Sequence, residues 1–252
     1  MKIFLNISYV GSAYCGYQVQ KNGISIQQRL NEAARALFGF DCDIVGCSRT
    51  DKGVHANMFC ACVTEKGCAS IASTIPESSL PIAFNSYLPG DISVRSAKYV
   101  SDDFHPRYDV KYKEYVYKIY NAPICDPFLY GRVWHYPRRI SEEAVFKMDR
   151  AAKEFVGKYD FSAFMASGSS VSDTVRNVMA AGVERNGDTI EFTVCADGFL
   201  YNMVRIMTGT LIAVAEGKIS PEQIKSIIES RNRSLAGNTA PADGLYLNRV
   251  EY

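Results

Sequence analysis

The sequence predicts an α+β protein built of two halves with a similar outline, each a mixed sheet with helices covering one face. Three observations carry this expectation. Period-two runs occur in both halves: Ile3, Leu5, Ile7 and Tyr9 share one face near the start, and Lys113, Tyr115, Tyr117 and Ile119 share one past the middle. Helical-period stretches follow each, with Leu30, Ala33, Ala34 and Leu37 in the first half and Val145, Met148, Ala152 and Phe155 in the second. A chain of 252 residues is also long enough for one large or two modest domains.

Taken in order, the first run makes residues 2–9 a strand. Ser25 is placed to cap a helix through Phe38, which Gly39 stops. A strand around Asp43-Ile44-Val45 and another from Met58 to Val63 flank a polar loop, and residues 64–70 are a polar connection. Leu80 to Leu88 suits a short helix whose start is blurred by Pro76 and Pro81. Ile92 to Val100 alternates as a strand. In the second half Tyr108 to Tyr120 alternates, followed by a proline-bearing loop from Asn121 to Gly131. Ser141 opens a helix to about Val156, and a hairpin joins Val178–Glu184 to Thr189–Cys195 across Arg185-Asn186-Gly187-Asp188. Helices from Asn202 to Ala215 and Pro221 to Ser230 and a strand from Gly244 to Tyr252 complete the chain. No Gly/Ser/Pro-rich hinge marks a boundary, and the halves are set at 1–104 and 105–252.

Composition is that of a globular protein, 47% hydrophobic and 22% charged. The first residues read as a strand rather than a secretory signal, and the most apolar helical stretch, Met203 to Ala215, carries Arg205 and is too short to span a bilayer. A cytoplasmic protein is expected. None of the eight cysteines forms a C-x-x-C pair, and His55, His105 and His135 lie far apart, so the spacings suggest neither a metal nor a disulfide framework. Cys60 and Cys62 read as small buried hydrophobes. The net charge is only +1, yet residues 95–139 carry nine Lys or Arg against five Asp or Glu, a local +4 that leaves −3 for the rest. Tyr99, Tyr108, Tyr112, Tyr115 and Tyr117 are interleaved with those charges, which suits phosphate tracking and base stacking; a solvated strand face is the plainer alternative.

The chemistry centres on the loop Gly46-Cys47-Ser48-Arg49-Thr50-Asp51-Lys52-Gly53-Val54-His55-Ala56. A strand that breaks at Gly46 and resumes after Gly53 must present Arg49, Thr50 and Asp51 on a turn carried by a rigid sheet. A carboxylate beside a guanidinium stays ionised at neutral pH, which suits a nucleophile or general base. An ordinary surface ion pair is the plainer alternative.

Over these eleven contiguous residues the loop resembles the active-site loop of the tRNA pseudouridine synthase A family, G-x-x-R-T-D-x-G-V-H-A, with Ser48 where many members have Gly. Phe104-His105-Pro106-Arg107 with Lys113 to Asn121 resembles its second motif, and Gly198 to Gly209 its third. Asp160 to Ser169 also fits, with Met165 where members often carry Arg, and Ala240 to Leu247 resembles the C-terminal motif. The resemblance runs from Met1 to the C-terminus and implies two ferredoxin-like halves around a shared sheet, with the active site in a central cleft. It implies Asp51 as the catalytic carboxylate, Tyr115 as the ring stacked on the target base and a candidate acceptor of the C5 proton, and Arg205 as the partner of Asp51. Arg49, Arg107 and Leu245 become substrate-binding positions, Arg107 helping to extrude the nucleotide. Independently, Arg205 stands among apolar residues, where an unpaired charge would be costly.

The implied reaction isomerises uridine to pseudouridine in the tRNA anticodon stem-loop, at positions 38, 39 and 40. It needs no cofactor or metal. The implied partner is tRNA, not DNA or a membrane, bound by a homodimer in which one tRNA contacts both subunits. Two other classes compete. A catalytically silent RNA-binding module would not need Arg49, Asp51, Tyr115 and Arg205 together, and a nuclease using Asp51 with Asp43 would need a second acidic cluster for Mg²⁺. A synthase paralogue with a different tRNA site would share the same motifs.

Overall fold

The structure, a computed structural model, describes residues 1–168 and 171–252; Ser169, the end of one family-like stretch, lies outside the described residues. Among the described residues the chain forms strands, mostly antiparallel where they pair, and five α-helices. It divides into two compact units, one of Met1–Lys111 with Leu247–Tyr252 and one of Tyr112–Tyr246.

The first unit opens with β1 (Lys2–Tyr9), whose Ile3, Leu5, Ile7 and Tyr9 are all buried as the alternation requires. Helix α1 (Ile26–Phe38) begins where the Ser25 hydroxyl accepts from the Gln28 amide and ends at Gly39, whose φ of 81° is left-handed. Its buried face is Ile26, Leu30, Ala33 and Ala34. Strands β2 (Cys42–Gly46) and β3 (His55–Glu65) follow, then α2 (Leu80–Asn85) and β4 (Ile92–Val100). β1 lies between β4 and β3, antiparallel to both. On the opposite edge of β3, β2 takes Ala61 to Glu65, which leaves the earlier stretch for β10 (Leu245–Glu251). β3 therefore runs two residues past Val63, because Cys42 pairs as far out as Glu65. Phe4, on the other face of β1, is covered edge-on by Phe104 and Tyr252 at 5.4 and 5.3 Å.

The second unit holds β5 (Tyr112–Tyr120), a two-residue β6 (Trp134–His135), α3 (Glu142–Lys153), β7 (Gly157–Asp160), β8 (Val175–Asn186), β9 (Thr189–Ala196), α4 (Met203–Ala215) and α5 (Gln223–Ser230). Its strand order is β5-β9-β8-β7, with β6 parallel to the end of β5. β9 buries alternate residues, Ile190, Phe192, Val194 and Ala196, as expected of a sheet covered on one face. The hairpin is tighter than its sequence suggests. Asn186 pairs with Thr189, so the turn is Gly187-Asp188, and Arg185 belongs to the strand. Helix α3 stops at Lys153, short of Val156, yet Phe155 is buried against Phe164 at 5.1 Å.

Candidate active site

In the first unit the loop between β2 and β3 is clamped by the segment that follows β1. The Cys47 amide donates to the Cys60 carbonyl at 2.8 Å, fixing the exit from β2. The Thr50 carbonyl accepts from the Tyr17 amide at 3.0 Å, and the Thr50 hydroxyl shares a 2.8 Å bond with that of Tyr9. Asp51 closes its own turn, its carbonyl accepting from the Val54 amide at 3.1 Å, and Gly53 adopts the positive φ of 83° that the turn demands. His55 is fully buried. Its Nδ1 accepts from the Gly11 amide at 3.0 Å, which places the ring proton of the neutral form on Nε2.

His55 therefore shapes the loop from beneath, whereas Lys52 is exposed. Asp51 is half-buried at the tip, between a buried Thr50 and an exposed Lys52. A side chain on Gly16 would come within 2.6 Å of the Thr50 carbonyl, so the clamp closes only with a bare backbone there. The clamp residues Gly11, Gly16 and Tyr17, with Tyr14, whose carbonyl accepts from the Gly53 amide at 3.4 Å, are a part of the site to which the sequence assigns no role. Their signal is two glycines and two tyrosines within seven residues, a pattern with neither strand nor helix period.

Arg49 and Arg107, far apart in sequence, line one cavity of about 230 Å³ together with Tyr17, His105 and Tyr108. His105 stacks on Tyr108 with ring centroids 4.1 Å apart. Its Nδ1 accepts from the Arg107 and Tyr108 amides at 3.1 and 3.2 Å. Burial, with the charges of Lys2 and Arg107, holds its pKa below the usual histidine value.

In the second unit Tyr115 stands on β5 opposite Val194, 7% exposed, its ring edge-on to Phe199 at 4.9 Å. Phe199 is a further residue to which the sequence assigns no role of its own. Arg205, half-buried on the first turn of α4, donates from Nε to the Ala240 carbonyl and from Nη1 to Asn202 Oδ1, both at 2.7 Å. Asn202 sits at φ 59°, a left-handed conformation that asparagine tolerates. The Ala240 amide donates back to the Arg205 carbonyl at 3.1 Å. Residues 236–240 thus form a strap across α4, and Gly209 lets it approach, since a side chain there would strike the Asn238 carbonyl. Leu245 is buried and follows Gly244, which has no room for a side chain against the Tyr117 ring. The Tyr117 hydroxyl donates to the Pro241 carbonyl at 2.6 Å, which ties the same strap to β5.

Comparison with known proteins identifies the family. A family model described as tRNA pseudouridine synthase matches residues 151–252. The tRNA pseudouridine synthase A of Acetivibrio thermocellus is 43% identical over 249 residues, covering 98% of both chains. That of a Thermoanaerobacter species is 42% identical over 252 residues, covering 99% of both. The Staphylococcus saprophyticus enzyme is 37% identical, with 99% of this chain and 90% of the relative covered. The chain belongs to the tRNA pseudouridine synthase A family. It is therefore a pseudouridine synthase, an isomerase, and the clamped loop and the strapped α4 are features of that enzyme. Among its described residues no helix is long and apolar enough to cross a membrane.

Proposed function

We propose that this synthase converts uridine to pseudouridine in the tRNA anticodon stem-loop, at positions 38, 39 and 40, with Asp51 as the catalytic carboxylate. The observation that carries the reading is the loop itself. It presents Arg49-Thr50-Asp51 in the family's register, and buried hydrogen bonds hold it from both sides. The isomerisation breaks the N1–C1′ bond, turns the uracil, forms the C5–C1′ bond and releases the C5 proton to solvent, while the freed N1 ends protonated by a proton taken from solvent. Atoms and electrons balance without an external oxidant or reductant. Asp51 serves either by attacking the nucleoside or by removing a ribose proton, and both routes need an ionised oxygen held in one place.

The resemblance gives Arg205 the task of keeping Asp51 anionic and Tyr115 that of stacking on the everted base and accepting the C5 proton. Arg49, Arg107 and Leu245 bind the substrate. The tight seating of Tyr115 against Phe199 and the strap that fixes Arg205 support these roles, because a catalytic group must hold its position through the reaction. The same reading takes residues 1–104 and 105–252 as two ferredoxin-like halves. It takes the working enzyme as a cytoplasmic homodimer bound to one tRNA across both subunits.

The decisive experiment measures tritium release from C5-labelled uridine in a tRNA transcript, with Asp51→Asn beside the unaltered enzyme. Release from positions 38–40 by the unaltered enzyme and its loss in the variant, with tRNA binding retained, are the expected results. Normal turnover by Asp51→Asn would overturn the mechanistic assignment.

A further inference from the structure

We propose that the cavity lined by Arg49, Arg107 and the His105–Tyr108 stack seats the nucleotide adjacent to the everted uridine, its base on the outer face of Tyr108 and its phosphate on the guanidiniums. The inference rests on the reading that this enzyme acts on RNA, and it adds a second base-binding position within the first unit.

Four observations lead to it. Tyr108 is 77% exposed, yet its ring is not loose: it lies parallel to His105, with 23° between the planes. Folding does not require that exposure, and an aromatic ring stacked on one face and open on the other is a ready surface for a nucleobase. His105 is itself pinned, because its Nδ1 accepts two successive backbone amides, those of Arg107 and Tyr108. The platform is therefore set before any ligand arrives, which lowers the ordering cost of binding. Arg49 and Arg107 line the same cavity, and among the described residues neither has a carboxylate partner. Guanidiniums left free of acids beside an aromatic surface suit a phosphate next to a base. Finally, the Tyr17 hydroxyl is buried in the cavity wall with no hydrogen-bond partner among the described residues, and burial keeps it protonated. The wall thus retains an unused donor near the two positive charges.

A base rather than a protein side chain is the favoured occupant because the cavity joins flat aromatic and bidentate cationic surfaces. Its volume of about 230 Å³ suits one nucleotide portion rather than a folded partner. Gln18 and Gln27 also line it, and Gln27 is already engaged with the Val19 amide and the Ile44 carbonyl, leaving Gln18 to meet a base edge.

The test is a cycle between protein and RNA. Stem-loop RNAs carry an abasic site immediately 5′ or 3′ of the target uridine, and the enzyme is unaltered, Tyr108→Ala or Tyr108→Trp. Equilibrium binding is read by fluorescence anisotropy of the end-labelled stem-loop at fixed salt, and turnover by tritium release. Tyr108→Ala should weaken binding and raise KM by on the order of tenfold, the scale of one lost base–aromatic stack. Its kcat should stay within about twofold of normal, because a neighbouring-base contact acts on binding rather than on the bond-making step. Tyr108→Trp should restore KM.

The abasic site on one flank should impose the same penalty on the unaltered enzyme and none further on Tyr108→Ala. Normal binding by Tyr108→Ala, or penalties that simply add at both flanks, would overturn the inference. The exposed position of Tyr108 keeps the variants folded. An unaltered enzyme that bound the stem-loop with this coupling but released no tritium would refute the catalytic reading alone, so the two failures are distinguishable.

Discussion

Thr50, the residue immediately before Asp51, has almost no freedom. Its carbonyl and its hydroxyl are held by different residues, Tyr17 and Tyr9, and it is buried. Replacing it with valine keeps the shape and removes the hydroxyl that meets Tyr9, at a cost of about 1–2 kcal/mol for a lost buried hydrogen bond. Tyr9→Phe should cost a similar amount, and the double variant should cost less than the sum of the two, since both remove the same bond. Urea unfolding of the four proteins measures this coupling, and strict additivity would show that the bond contributes nothing. Thr50→Val should also lower kcat by roughly tenfold to a hundredfold with little change in KM, because small displacements of a catalytic group are expensive.

At this scale the sequence was informative about identity and silent about support. Arg49, Asp51 and Arg205 are named by their motifs. Most of their support comes from distant segments: Tyr17 and Ala240 act through backbone atoms that carry no sequence signature, Tyr9 through a hydroxyl on a strand, and the motif's own His55 is fixed by the Gly11 amide.

Helix α4 shows the same division between pattern and packing. Its start, length and apolar character are evident from Met203 to Ala215, and ten of its thirteen residues are buried, so it has no solvated side from which to read a period. What its sequence does not announce is the strap. Gly209 reads as an ordinary weakness in a helix, where alanine would be favoured by about 0.5–1 kcal/mol. The structure reverses that sign, because a methyl group on residue 209 would meet the Asn238 carbonyl, and a side chain on Gly237 would in turn meet the Gly209 carbonyl. Gly209→Ala should therefore destabilise by about 1–3 kcal/mol through overpacking. It should also slow turnover, since the displaced strap carries the Ala240 carbonyl that receives Arg205 Nε. Thermal unfolding and kcat together check this, and a raised Tm would show that the strap yields freely.

The hairpin of β8 and β9 makes the complementary point. The alternation announces the hairpin, but the four-residue turn it suggests is two residues longer than the one the strands form. Gly187 alone provides the positive φ, 58°, so the strands pair right up to Asn186 and Thr189.

Across the whole molecule, charge is the property that composition hides and distribution reveals. A net charge of +1 predicts no general affinity for a polyanion, whereas the +4 concentrated in residues 95–139 predicts a local one. Several of these positions, Arg95, Arg132 and Arg139 among them, are exposed. Others are committed elsewhere: Arg138 pairs with Glu216 at 3.2 Å, and Lys118 lies over the Tyr246 ring and beside Glu191. The available cations are thus fewer than the count suggests, which sets the scale of an electrostatic test.

If roughly four phosphates are neutralised on binding, raising salt from 50 to 200 mM should weaken tRNA affinity by on the order of a hundredfold, along a straight line in log–log coordinates. Arg107→Ala should make that slope shallower by about one, as expected for one lost phosphate contact, and should weaken all stem-loops alike. Arg138→Ala should leave the slope unchanged, because its charge is already matched by an acid. An affinity flat in salt would mean that the basic middle of the chain is only a solvated strand face, and that RNA is held by stacking and shape alone.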